Sequence, residues 1–195
     1  MYTPALSREP ISDHPLPPKR QADAYGHGLD LAHAAVEAAE ASSAATGRGS
    51  GGAAIGVCEN WEMDAVRERV EARHGRGAAK QRINFFRLRP ANADEAEAAI
   101  AGGHRVVETV GSLAAASAFA AVAERVRRPV VCHLMLDAGI GRTGFYLDEA
   151  AQAADVKAAL SLGGLSWAGI TSHLPVADDE DDAVTRRQIQ GFLVR

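Results

Sequence analysis

Apolar and polar positions along the chain follow two alternating patterns. Short apolar runs rich in β-branched residues predict buried strands, at residues 53–58, 83–89, 105–110, 129–136 and 165–174. Stretches between and after these runs predict helices, at residues 29–45, 61–73, 93–101, 112–127, 147–161 and 180–194. Asn60 and Asn92 precede two of these helices and are predicted to cap them. Doubly buried strands that alternate with helices indicate a parallel α/β sheet.

The number of strands leaves two architectures open. Five strands and a possible stub at 20–24 are too few for an eight-stranded barrel, so the sheet is either open and doubly wound or a barrel cut short. In both cases the candidate site lies at the carboxyl ends of the strands. Residues 1–20 hold five of the eight prolines and are predicted to be irregular or disordered. Residues 21–195 are then the folded domain.

Composition and charge narrow the class of protein. The chain has 195 residues, a net charge of −4, 47% hydrophobic residues and 24% charged residues, which is typical of a globular domain. A mildly acidic balance does not favour a nucleic-acid or membrane partner, and no apolar run reaches the roughly 20 residues that span a bilayer. Cys58 and Cys132 lie in apolar runs and are predicted to be buried, reduced thiols of a cytoplasmic protein.

The segment DAGIGRTGF at 137–145 suggests two kinds of anion site that its surroundings do not support. Its three glycines fit a dinucleotide-binding turn, but the acidic residue expected about 20 positions later is missing. The segment also resembles the phosphate loop of tyrosine phosphatases, whose C-x₅-R spacing requires a cysteine where Leu136 stands. Cys132 is too far from Arg142 to serve as the nucleophile.

Three separated segments, spread over about residues 22–192, carry a resemblance to the alanine racemase family. ADAYGHG (22–28) resembles V-K-A-[DN]-A-Y-G-H-G, and HLMLDAGIGRTGF (133–145) resembles H-L-K-V-D-T-G-M-G-R-x-G-F. GLSWAGITSHLPVADDEDDAVTRRQIQGF (164–192) resembles the later L-x-G-[IL]-x-T-H-F-A-x-A-D…T-x-x-Q-x-x-x-F pattern. RLRPANADEAEAAI (87–100) is similar to the broad-spectrum amino-acid racemase branch.

The resemblance implies a fold and an activity. The fold is the family's N-terminal (β/α)₈ barrel, of which this chain holds about five to six strands. Intact relatives use pyridoxal phosphate to interconvert L- and D-alanine or related amino acids, and they form homodimers. The substrate implied is a small amino acid, and which amino acid stays open.

The resemblance also implies roles for individual residues. Tyr25 matches a tyrosine near the cofactor phosphate, and His27 lies in the same turn with its role left open. Arg142 matches the arginine beside the phenolic oxygen of the cofactor, which also helps to hold the substrate carboxylate. A guanidinium fork suits both acceptors. His173 matches the histidine that packs against the pyridine ring. No residue is singled out as a metal ligand.

Departures from the family pattern lead us to expect no racemase activity from this chain alone. Gln21 stands where the family has the Schiff-base lysine, and an amide nitrogen cannot form an imine. Met135 replaces a second family lysine. The opposing tyrosine base belongs to a C-terminal domain that the sequence does not include, so cofactor binding is expected to be weak or absent. A non-catalytic small-molecule or anion-binding module and a self-associating interaction domain remain as alternatives.

The remaining lysines are not expected to replace the missing one. Lys80 is predicted to lie in a polar loop and Lys157 on a helix. Lys19 precedes Gln21 by two residues, so in a strand both side chains would point to the same face. The offset of about 6.6 Å along such a strand would spoil its aim at a cofactor.

Overall fold

The computed structural model describes residues 34, 36–38, 41, 53–146, 150–180 and 182–193. The strands are β1 (Ala53–Val57), β2 (Ile83–Arg87), β3 (Val106–Val110), β4 (Val130–Leu136) and β5 (Leu165–Ser172). The helices are α1 (Asn60–His74), α2 (Ala78–Arg82), α3 (Ala93–Ala101), α4 (Leu113–Val126), α5 (Ala150–Leu160) and α6 (Ala183–Leu193). Across these described ranges, no helix has both the length and the apolar character needed to cross a bilayer.

The sheet confirms the predicted fold class. Its strands lie in chain order from β1 to β5, and β1 with β2, β2 with β3, and β4 with β5 pair in parallel. All five strands fall within the predicted ranges. The predicted stub at 20–24 and the irregular segment at 1–20 lie outside the described residues, as does most of the predicted helix at 29–45.

Two local predictions were wrong. Asn60 is the first residue of α1, and Glu59 is its N-cap, because the Glu62 side chain accepts from the backbone N–H groups of Cys58 and Glu59 at 2.7 and 2.8 Å. Lys80 lies on the short helix α2 and not in a loop. The predicted cap at Asn92 is correct, since its side chain accepts from the Glu95 N–H.

The described residues form two compact units, one that ends at Val107 and one that begins at Glu108. In the first, a buried polar network joins the last residue of β2 to the loop after β1 and to the first residue of α1. Arg87, which is 0% exposed, donates to the Cys58 carbonyl at 3.2 Å and to Asn60 Oδ1 at 2.7 Å. The apolar core around β1, α1 and β2 contains Ile55, Val57, Met63, Val66, Val70, Ile83 and Phe85.

The second unit is built on β4 and β5, and α4 contacts both strands. Gly164, which directly precedes β5, has φ +80°, and a Cβ there would lie 2.8 Å from the Ala123 Cβ of α4. This close approach therefore requires glycine. Buried apolar side chains of the unit include Val110, Phe119, Val122, Val130, Leu134, Leu136 and Phe145.

Neither cysteine forms a disulfide within the described residues, and the two differ in burial. Cys132 is buried in β4, as predicted, and burial raises the pKa of its thiol to about 12. Cys58 is only half-buried at the end of β1, so the prediction of a second buried thiol was wrong. Because β1 ends at Val57, Cys58 lies in the loop that follows the strand.

Candidate functional site

The carboxyl ends of β4 and β5 lie side by side. The two strands pair in parallel up to Leu136 opposite Ser172. Arg142 lies in the loop that follows β4, and His173 is the first residue after β5. The structure therefore brings these two residues to one edge of the sheet. The other site residues expected from the sequence lie outside the described residues: Gln21, Tyr25 and His27.

The Arg142 loop, residues 137–145, is held at its centre by one carboxylate. Asp137 Oδ1 accepts hydrogen bonds from three backbone N–H groups, at 2.7 Å from Gly139, 2.8 Å from Ile140 and 3.2 Å from Gly141. Gly139 and Gly141 have φ values of 108° and 70°, a conformation that glycine adopts at little cost. The glycines of the loop thus allow its backbone to turn so that three N–H groups reach the Asp137 carboxylate.

The base of the Arg142 loop is closed by backbone hydrogen bonds. The Phe145 N–H donates to the Met135 carbonyl at 2.9 Å, and the Asp137 N–H donates to the Phe145 carbonyl at 3.0 Å. Gly144 has φ 124°, and a Cβ there would lie 2.6 Å from the Asp137 nitrogen, so this position requires glycine. Phe145, at 2% exposed, anchors the end of the loop in the core.

In the Arg142 loop, the group available to bind an anion is the Arg142 guanidinium and not the central backbone N–H groups. Glycine-rich turns bind phosphate through free N–H groups, but here Asp137 already occupies the central ones. Arg142 is exposed, and no other described residue forms a hydrogen bond or ion pair with its side chain. This geometry agrees with the sequence arguments against a dinucleotide or phosphatase loop.

Below this edge, one face of β4 and β5 carries side chains that are uncharged at neutral pH. His133 is opposite Gly169, and Met135 is opposite Thr171. A Cβ at Gly169 would lie 3.0 Å from His133 Nε2, so the imidazole lies over this glycine. Burial lowers the pKa of His133 to about 4. His173 continues the same alternation two residues after Thr171.

His133 and Thr171 were not singled out from the sequence. A signal was available, because in a strand every second residue shares a face. Counting back by two from Met135 gives His133, and counting back from His173 gives Thr171. Met135 is 3% exposed, so the position that matches the second family lysine is filled by a buried thioether.

Helix α6 borders the Arg142 loop. A Cβ built on Gly139 would lie 3.5 Å from Gln188 Nε2, which places this carboxamide beside the loop. Gln188 Oε1 is buried and finds no hydrogen-bond partner within the described ranges. Thr185 Oγ1 donates to the Val176 carbonyl at 3.0 Å and fastens α6 to the segment that follows His173.

Neither described lysine lies at a carboxyl end of a strand. Lys80 is exposed on α2, which runs directly into the amino end of β2. Lys157 is exposed near the end of α5, which precedes the amino end of β5. Lys19 is not among the described residues. Where the structure can be described, no group of three or more His, Cys, Asp or Glu side chains is arranged to hold a metal ion.

Curated relatives of the chain are amino-acid racemases. A broad specificity amino-acid racemase from Aeromonas hydrophila subsp. hydrophila is 33% identical over 162 residues, which are 83% of this chain and 34% of that protein. An alanine racemase from Clostridium novyi is 29% identical over 173 residues, 88% of this chain and 38% of that enzyme. The chain thus spans between a third and two fifths of the length of these relatives.

Solved structures and a family model agree with this relationship. An alanine racemase of Clostridium difficile 630 in complex with cycloserine matches with a TM-score of 0.68 at 19% identity, covering 90% of this chain and 42% of that one. This match shows the fold alone. The model of the alanine racemase N-terminal domain matches residues 21–194. The chain therefore belongs to the alanine racemase family, to the part of it that forms the N-terminal domain.

Proposed function

We propose that this chain is a racemase-family domain that binds a small amino acid through its carboxylate and does not catalyse racemisation. The observation that carries the proposal is the exposed Arg142 side chain, on a loop that Asp137 fixes at the carboxyl end of β4. The absence of catalysis rests on Gln21, which occupies the position of the family lysine that bears the cofactor.

Arg142 suits a carboxylate for two reasons. Its planar guanidinium presents paired N–H donors that match the two oxygens of a carboxylate. The loop is already ordered by its own hydrogen bonds, so binding costs little backbone entropy. Met135 and Thr171 supply no charge on the strand face beneath the site, and burial lowers the pKa of His133 to about 4, so its imidazole is neutral at neutral pH.

The described residues do not fit a covalently held pyridoxal phosphate. The cofactor, when bound as an imine, supplies an electron sink, and the imine requires a lysine amine. Lys80 and Lys157 lie towards amino ends of strands, and the amide of Gln21 is not a nucleophile. What remains is reversible contact between the cofactor and Arg142 or His173.

Titration calorimetry with L-alanine and with pyridoxal phosphate tests the binding. A charge-assisted hydrogen bond contributes about 1.5–3 kcal/mol, so Arg142→Ala should weaken alanine binding by about tenfold or more. Arg128→Ala is the matched control, since Arg128 is also exposed but precedes the amino end of β4. Equal affinities in wild type and Arg142→Ala would contradict the proposed binding site.

Borohydride reduction followed by peptide mapping tests the absence of catalysis. We expect no pyridoxal label on any lysine and no D-alanine from L-alanine by chiral chromatography. Gln21→Lys is the positive variant, which should accept the label at position 21. A label on Lys19 of the wild-type chain would refute the expectation that no imine forms.

A further inference from the structure

The sequence D-A-G-I-G-R-T-G raises a question that the binding of a carboxylate leaves unanswered. Short glycine-rich turns after a strand commonly receive phosphate on their backbone N–H groups. This turn has that composition, yet its central amides point at Asp137. The carboxylate of the protein thus lies where a bound anion would otherwise lie.

The contacts of Asp137 fix the part of the loop that leads directly into Arg142. The three amides that its Oδ1 accepts belong to Gly139, Ile140 and Gly141, the residues immediately before the arginine. Each of these hydrogen bonds restricts the backbone conformation of the turn, and so restricts the direction in which Arg142 leaves it. Asp137 also donates its own N–H to Phe145, so the same residue closes the base and the centre of the loop.

The surroundings of the loop hold it from two further sides. A Cβ at Gly111 would lie 2.9 Å from the Gly144 nitrogen and 3.1 Å from Thr143 Oγ1, so the turn after β3 packs closely on the second half of the loop. Gln188 lies beside Gly139 on the first half. Between these two contacts, Arg142 is the exposed cation of the loop.

We infer that Asp137 is a positioning residue that aims Arg142 at a carboxylate ligand and, by occupying the turn amides, excludes phosphate from them. Asp137 acts through the arginine and does not touch the ligand. The inference rests on the proposed function for its ligand. The inference has two parts. The structural half, that Asp137 fixes the conformation of the loop, depends only on the hydrogen bonds of Asp137; the specificity half concerns which anion binds.

Hydrogen exchange and trypsin cleavage test the structural half without any ligand. In Asp137→Ala, the amides of residues 139–141 should exchange roughly tenfold faster or more, and trypsin should cut after Arg142 faster, because three acceptor contacts are lost. Asp137→Asn keeps an oxygen at the Oδ1 position and should retain most of the protection. Asp155→Ala is the control, since Asp155 is exposed on α5. Unchanged exchange in Asp137→Ala, or exchange in Asp137→Asn as fast as in the alanine variant, would overturn the positioning role.

Calorimetry with L-alanine and with inorganic phosphate tests the specificity half. Asp137→Ala should lose alanine affinity to about the extent that Arg142→Ala does, and it should gain phosphate binding that the wild type lacks. Equal phosphate binding by wild type and Asp137→Ala would overturn the exclusion of phosphate. Failure of the wild type to bind alanine would count against the proposed function, while exchange and cleavage would still decide the role of Asp137.

Discussion

His133 should make the stability of this domain depend on pH between about 6.5 and 4. Its imidazole lies over Gly169 on β4, and burial lowers its pKa from 6.5 to about 4. The folded state therefore takes up the proton less readily than the unfolded state does. The contribution to stability is fully present above pH 6.5 and is lost as pH falls towards 4. At 1.36 kcal/mol for each unit of pH, the loss reaches about 3 kcal/mol.

Urea unfolding at a series of pH values measures this loss. We compare the wild type with His133→Gln, which keeps a polar side chain but cannot titrate. The free energy of unfolding of the variant should fall less steeply between pH 6.5 and 4. His104→Gln is the control, because burial also lowers the pKa of His104 and part of the wild-type slope belongs to it. The same pH dependence in wild type and His133→Gln would refute the reasoning.

Three further predictions follow from other contacts. Hydrogen bonds from Arg89 lower the pKa of Glu95 to about 2. The contribution of this carboxylate to the free energy of unfolding is therefore present above pH 4.5 and is lost as pH falls towards 2. Because the Arg89–Glu95 ion pair is partly exposed, Glu95→Gln should lower the free energy of unfolding, measured in urea at neutral pH, by only about 1 kcal/mol. The exposed control Glu124→Gln should change it by almost nothing. Gly169→Ala should lower the free energy of unfolding by about 1–3 kcal/mol, because the added Cβ would lie 3.0 Å from His133 Nε2. In a chain that also carries His133→Ala, the same substitution should destabilise much less, as measured by thermal unfolding. Within the part of the chain that the structure describes, β5 is an edge strand of the sheet, so the isolated chain should self-associate; a monomeric mass by light scattering at all concentrations would contradict this.

The apolar pattern was sufficient to locate the strands, because each contains a short run of apolar residues. Burial on both faces was predicted for all of them; β2 and β3 are buried along most of their length, but the first half of β5 is exposed at every second residue. The same logic found α3, whose Asn92 cap and acidic first turn are local signals. It missed α2, since AAKQR is only five residues long and has no apolar period. It misplaced the start of α1, because the cap depends on the Glu62 carboxylate, whereas the Asn60 carboxamide is engaged by Arg87.

The candidate site was predictable only in part from the sequence. Motif spacing predicts Arg142 and His173 as site residues. The structure places both after adjacent parallel strands, which follows from the order of elements. The role of Asp137 was not predictable, because three amides converge on one oxygen only when Gly139 and Gly141 take positive φ angles. Such a turn is a property of backbone geometry and not of residue type.

Full burial of Arg87 has a consequence for how this chain can change over evolutionary time. Its guanidinium satisfies the Cys58 carbonyl and Asn60 Oδ1, so replacing the arginine alone would leave both acceptors without that donor. A single substitution of Arg87 should therefore give a less stable protein, and a neutral replacement requires several residues to change together.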